Sequence, residues 1–324
     1  MKKLSYYIIL FLSSVIVPEI PFLILLMNNQ YISIQYFLIS SIPIILTFIL
    51  LSYLFRDSIT RDPNPLGIFH YISKLSKYLL PTFGFFYYLS LISFISSELL
   101  LINNFLSKID PLLFTISYIM IFSFIIFNLF NIDIESKLQE IISYISIISS
   151  IILIFFFIFP ININIQYNSI NPFLFTISYN TAIFSGLDIL TYYSNYSNNR
   201  KTGNATFYGT ILLSIISILL YISLLNIRIE NISSIILLIF LPISIYSTYI
   251  WFYTANKILE NISEKKLLPY FFRMKNNRDS PIFNVFLSAF IILIFLFLNN
   301  FNYLLSFFIS FTIIIYILYI VSYI

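Results

Sequence analysis

The chain has 324 residues, of which 60% are hydrophobic and only 9% charged, and its mean hydropathy is +0.95. Soluble domains are about a quarter charged, so a water-soluble core does not account for this composition. The net charge of +4 arises from 17 Lys and Arg against 13 Asp and Glu; the basic residues follow a membrane-topology pattern, and nothing points to nucleic acid. The absence of Cys excludes disulfides, thiolate metal sites and a cysteine nucleophile.

Apolar runs of about 20 residues, separated by charge, predict ten membrane spans. They fall at 5–27, 32–55, 80–104, 111–131, 138–159, 172–193, 207–226, 234–255, 282–299 and 303–324. Span one carries Pro18, Glu19, Ile20 and Pro21 near its middle. Two prolines remove backbone donors and clash with the preceding turn, which breaks or kinks a helix. No small-residue cleavage site follows this run, so it is expected to be a span rather than a removable signal. The loop after span two is basic and holds the one histidine, His70. A solvated loop histidine is the expectation there, with a proton relay as the alternative.

Span three carries Glu98. Span six carries Phe184, Ser185, Gly186 and Asp188 before a polar run ending in Arg200 and Lys201. Span eight carries Ser244, Ser247 and Thr248, whose hydroxyls are candidate cation ligands or helix-packing groups, and Trp251, a packing residue or a platform for an amine. With the amino terminus inside, all Lys and Arg except Lys108 and Arg228 fall on the cytoplasmic side, as the bias of short loops requires. Both termini are then cytoplasmic.

Glu19, Glu98 and Asp188 are carboxylates within spans, and no span supplies a Lys or Arg to balance them. A carboxylate in hydrocarbon is costly unless it faces a cavity, a partner or an ion, so each is a candidate for coupling or substrate binding. The alternative for each is a buried acid held neutral by a raised pKa. Spans one and six, both interrupted, are the first members of two five-span halves, 1–160 and 161–324. Interruptions at corresponding positions of two oppositely oriented halves mark the midplane site of many secondary transporters.

Phe184-Ser185-Gly186-Leu187-Asp188, with Asn195, Arg200 and Lys201 following, resembles the sixth helix of amino acid permeases of the amino acid, polyamine and organocation superfamily, whose pattern is roughly FxGFD, an Ala-Glu-Glu and a basic Pro-containing loop. Residues 256–269, NKILENISEKKLLP, are similar without a gap to that family's loop after helix eight. Lys257 stands at its Arg, Leu259 at its Leu and Leu268-Pro269 at its Leu-Pro, and Phe272 and Pro281 continue the pattern.

The resemblance implies an all-α polytopic membrane protein of the LeuT type, a five-plus-five inverted repeat with helices 1 and 6 broken. It implies a substrate site at Val17, Pro18, Glu19 and Ile20 and at Phe184, Ser185, Gly186 and Asp188. Glu19, Glu98, Asp188, Ser244, Ser247 and Thr248 are the coupling candidates. The chain departs from the family at three places. VIVPEIP replaces the helix-one glycines, Ser194-Asn195-Tyr196 replaces Ala-Glu-Glu, and Lys265-Lys266 replaces Asp-Gly. It also ends after span ten, as a minimal member or an incomplete chain would.

The expected function is a permease of the cell membrane that moves an amino acid or related amine by alternating access. No cofactor, metal or catalytic residue is expected, only a coupling proton or sodium ion, with membrane lipid as the surroundings. One alternative is an amino-acid or germinant sensor of the same architecture. Another is a flippase or enzyme for a lipid-linked substrate, which the charge-poor outer loops disfavour. No Gly-rich phosphate loop, paired metal-ligating His or nucleophile elbow is present.

Overall fold

A computed structural model describes residues 4–14, 34–64, 66–76, 78–107, 115–130, 141, 144–145, 147–149, 151, 177, 180–190, 192, 199–224 and 234–324. Their helices are α1 (Leu4–Ser14), α2 (Ile34–Arg61), α3 (Ile68–Leu75), α4 (Leu79–Leu106), α5 (Ile116–Leu129), α6 (Asn199–Leu224), α7 (Ser234–Glu264), α8 (Ile282–Leu298) and α9 (Phe301–Tyr323). A 3₁₀ turn, Tyr270–Arg273, lies between α7 and α8. The described residues form no β-strand.

This all-helical outcome runs against local preference, because the β-branched and aromatic residues that dominate the sequence favour strands in water. In hydrocarbon each backbone group must be satisfied within its own segment, and a helix does this. Among the described residues, four helices are long and apolar enough to cross a membrane: Ile39–Arg61, Leu79–Asn104, Arg200–Ser223 and Phe301–Tyr323. The chain is therefore an all-α protein of membrane-spanning character.

The chain divides into two compact units, each built from both halves of the sequence. One comprises Met1–Arg61, Lys137–Leu190 and Asn198–Ser247; the other comprises Asp62–Ser136, Thr191–Ser197 and Thr248–Ile324. In the first unit α6 packs on both α1 and α2. Small residues make this approach close. Thr202, Thr206, Thr210 and Ser214 recur every fourth residue along α6 and are buried. The hydroxyls of Thr206, Thr210 and Ser214 donate to the carbonyls of Thr202, Thr206 and Thr210, four residues earlier, so they need no partner on another helix.

At Gly203 a Cβ would stand 2.9 Å from the Arg56 carbonyl oxygen and 3.1 Å from Thr60 Cγ2. Backbone cannot swing aside as a side chain can. Gly203→Val should therefore lower the stability of the detergent-solubilised protein by about 1–3 kcal/mol, more than the small gain in helix propensity returns. An unchanged thermal midpoint would show that α2 and α6 have room to separate.

In the second unit α4 is the central element, packed by α3, α5, α8 and α9. Most of its length is buried, as expected of a helix enclosed by neighbours. Its serines Ser90, Ser93, Ser96 and Ser97 are buried and bond back to carbonyls three or four residues earlier. Phe94 of α4, Trp251 of α7 and Phe308 of α9 form a three-ring cluster with centroids 4.4 to 5.9 Å apart. A buried polar chain joins three helices: the Tyr88 hydroxyl lies 2.9 Å from Ser288 Oγ, which donates to Asn256 Oδ1 at 2.8 Å.

Several boundaries differ from the sequence expectation. α2 runs to Arg61, α6 begins at Asn199 rather than near 207, and α7 continues to Glu264, so most of the motif at 256–269 is helical rather than loop. Hydrophobicity marks where the bilayer ends, whereas backbone hydrogen bonding continues past it into water. The basic loop after span two contains the unanticipated α3, whose one face is buried. The proposed break in span one and about two thirds of span five lie outside the described residues.

Candidate functional site

The sixth apolar segment is interrupted where its sequence anticipates it. Residues 180–184 are α-helical, 185–188 form a turn, and 189–190 continue as 3₁₀. Gly186 has φ of 90°, a left-handed conformation that glycine adopts without the steric cost a Cβ brings. The Ser185 amide donates to the Ala182 carbonyl at 3.1 Å, three residues back rather than four, and the Ile189 amide donates to the Gly186 carbonyl at 3.0 Å. These tightened bonds end the regular ladder. The Ser185 hydroxyl donates to the Thr181 carbonyl at 2.8 Å.

The segment is fastened to α2 by one polar and one aromatic contact. Asn180 Nδ2 donates to Ser40 Oγ at 3.0 Å and to Ser41 Oγ at 2.9 Å. The Phe184 ring stacks on Phe48 with centroids 5.6 Å apart. Asp188 lies in the turn itself and is 0% exposed. A fully buried carboxylate at a helix interruption has the chemistry to hold a proton, a cation or a substrate amine.

Of the other candidate residues, Glu98 is buried on α4, one turn beyond the Phe94 ring cluster, and belongs to the second unit. Ser244, Ser247 and Thr248 are buried on α7, and the Ser247 hydroxyl makes no hydrogen bond among the described residues. Val17, Pro18, Glu19 and Ile20 lie outside the described residues. Trp251 packs edge-on against Phe94 at 4.9 Å and is fully buried, as expected of a core residue, although its indole N–H has no acceptor among the described residues.

His70 is not a free loop residue. It stands on α3 with Nε2 2.8 Å from Asp62 Oδ2, and Lys74 Nζ reaches the same oxygen at 3.2 Å. The hydrogen bond from His70, and then that from Lys74, hold the Asp62 carboxyl below its usual pKa.

One ionic cluster escaped the sequence reading. Glu260, buried on α7, is ion-paired with Lys257 at 2.9 Å and with Lys275 at 2.6 Å, and Lys275 also reaches Glu264 at 2.9 Å. The Lys257–Glu260 spacing of three is a sequence signal for an ion pair on a helix, but the resemblance to the permease family places it in a loop. Asn276 ties the following loop down: its Oδ1 accepts from the Arg278 and Ser280 amides at 2.9 and 3.0 Å, and its Nδ2 donates to the Leu129 carbonyl at 2.8 Å. No family model matches the chain, and none of the curated proteins compared with it matches either.

Proposed function

We propose that the chain is a secondary active permease of the cell membrane for an amino acid or related organic amine, working by alternating access. The observation that carries this is the buried carboxylate of Asp188 within an interrupted apolar segment. Soluble cores seldom bury an acid, and a membrane protein that does so usually places it on a substrate or ion path.

The packing partners support a five-plus-five inverted repeat. Exchanging span n with span n+5 turns the α1–α6 contact, spans one and seven, into span six on span two, and Asn180 and Phe184 make that contact with α2. The α4–α8 contact, spans three and nine, becomes span eight on span four, where Phe124 meets Tyr249 and Phe252 at 5.9 and 5.8 Å. Paired contacts of this kind are what two repeats of opposite orientation generate. The similarity of residues 184–188 and 256–269 to amino acid permeases supports the same substrate class.

Uptake of a labelled amino acid and amine panel into proteoliposomes under imposed proton or sodium gradients tests the proposal. Gradient-dependent accumulation of one class is the expected result. Saturable binding without flux would identify a sensor instead, and neither binding nor flux would overturn the reading.

Glu19 is proposed as the proton-coupling acid, because Pro18 and Pro21 offer no amide donors to a substrate carboxylate and a charged Glu19 would repel one. Glu19→Gln should retain substrate exchange while abolishing proton-driven accumulation. Accumulation equal to wild type would remove Glu19 from coupling.

The proposed orientation puts the α7–α8 loop in the cytoplasm. Asn277 is exposed in that loop and the chain has no native Cys, so a single cysteine there reports cleanly. Asn277→Cys should resist an impermeant thiol reagent in intact cells and react in inverted vesicles; the opposite pattern would invert the topology.

A further inference from the structure

At the end of α2 and the start of α6, within the first unit, a cavity of about 280 Å³ is lined by Tyr53, Arg56, Asp57, Thr60, Arg200 and Asn204. Among the described residues neither Arg56 nor Arg200 has a carboxylate partner. The one acid in the lining, Asp57, is engaged by Arg61 at 2.7 Å. The Arg56 guanidinium lies over the Phe207 ring, 5.7 Å from its centroid, which limits where it can point. The cavity therefore presents two guanidinium groups with unused donors, the geometry suited to a phosphate. Asn204 Oδ1 is buried in the same lining and, among the described residues, accepts no hydrogen bond, so a donor beside that phosphate would satisfy it.

Apolar surface leads away from the cavity along both helices. On α2 it is formed by Ile39, Ile42, Leu46, Leu50 and Tyr53, all more than half exposed and spaced three or four residues apart. On α6 it is formed by Tyr208, Leu212 and Ile215, at the same spacing. Tyr53 and Phe207 join the two helices at the cavity's edge, with ring centroids 6.1 Å apart. From Arg56 back to Ile39 is 17 residues of helix, about 25 Å, ample for an acyl chain lying within one leaflet.

We infer that this cavity binds the headgroup of an anionic phospholipid: the phosphate between Arg56 and Arg200, a headgroup hydroxyl on Asn204 Oδ1, and the acyl chains along the apolar faces of α2 and α6. A free phosphate would satisfy the arginines, and its own P–OH could reach Asn204 Oδ1, but it would leave the apolar faces of α2 and α6 unused. The site rests on the membrane-spanning character of α2 and α6 and not on transport, so a failure of either proposal leaves the other standing.

Binding of fluorescent phosphatidylglycerol to the purified chain in mixed micelles, followed by polarisation, tests this. Unlabelled phosphatidylglycerol should displace the probe, whereas phosphatidylcholine and inorganic phosphate at equal concentration should not. Arg56→Gln and Arg200→Gln should each weaken binding about fivefold, the worth of one arginine at an anionic headgroup. Arg200 is exposed, so its variant should fold even if that of Arg56 does not. Displacement by inorganic phosphate as effective as by the lipid would make this a soluble-anion site, and unchanged affinity in Arg200→Gln would place lipid binding elsewhere; either result overturns the inference.

Discussion

Asp188→Asn should reduce gradient-driven uptake roughly 10- to 100-fold, the loss expected when a charge-assisted contact of about 1.5–3 kcal/mol is removed. Asparagine keeps the size of the side chain and can still hydrogen-bond in the turn, so the yield of folded, monodisperse protein should stay near wild type. The turn itself is set by Gly186 at φ of 90° and by the anchoring of Asn180 to Ser40 and Ser41, none of which the substitution touches. Asp188→Glu, which restores the charge one methylene further out, should recover part of the activity. Uptake by Asp188→Asn at the wild-type rate, with unaltered pH and sodium dependence, would reduce Asp188 to a buried acid with no part in transport.

The second large effect is expected at Glu260, where one buried carboxylate holds two lysines. Glu260→Gln leaves Lys257 and Lys275 without their shared counter-charge at the end of α7. Removing one partner of a fully buried pair costs about 3–5 kcal/mol, but both lysine side chains here keep some exposure, and solvent screening lowers the expectation to about 1–3 kcal/mol. A fall in thermal midpoint should accompany it.

The pH dependence has a definite sign. Burial alone would lower the Lys275 pKa, yet hydrogen bonds to Glu260 and then Glu264 outweigh it and hold the ammonium above the ordinary lysine range. Stabilisation from a raised pKa is complete below the unfolded-state value, about 10.4 for lysine, and is lost as pH rises through the elevated folded value. Wild-type protein should therefore lose stability in that alkaline window, and Glu260→Gln should lose less there. Identical midpoints and identical alkaline profiles for the two proteins would remove the cluster from the stability of the loop.

Sequence by itself determined the class of this protein. Apolar runs of bilayer length leave helices as the way to satisfy the backbone, and that requirement overrides the strand preference of a chain rich in Ile, Phe and Tyr. The interruption at Ser185 and Gly186 was legible as well, because a glycine before an acid is out of keeping with an uninterrupted span, and the turn at 185–188 lies there.

Only the tertiary structure decided which residues meet. The gathering of Glu260 with Lys257, Lys275 and Glu264 depends on α7 continuing into water, where hydropathy no longer reports on helix. The pairing of His70 with Asp62 depends on a short helix too brief to leave a clear periodic signal. The cavity between Arg56 and Arg200 joins residues 144 positions apart, and the close approach at Gly203 brings their helices together. Spacing along a chain records local periodicity. Contacts between distant segments are set by which surfaces fit and which charges remain unbalanced once the helices have formed.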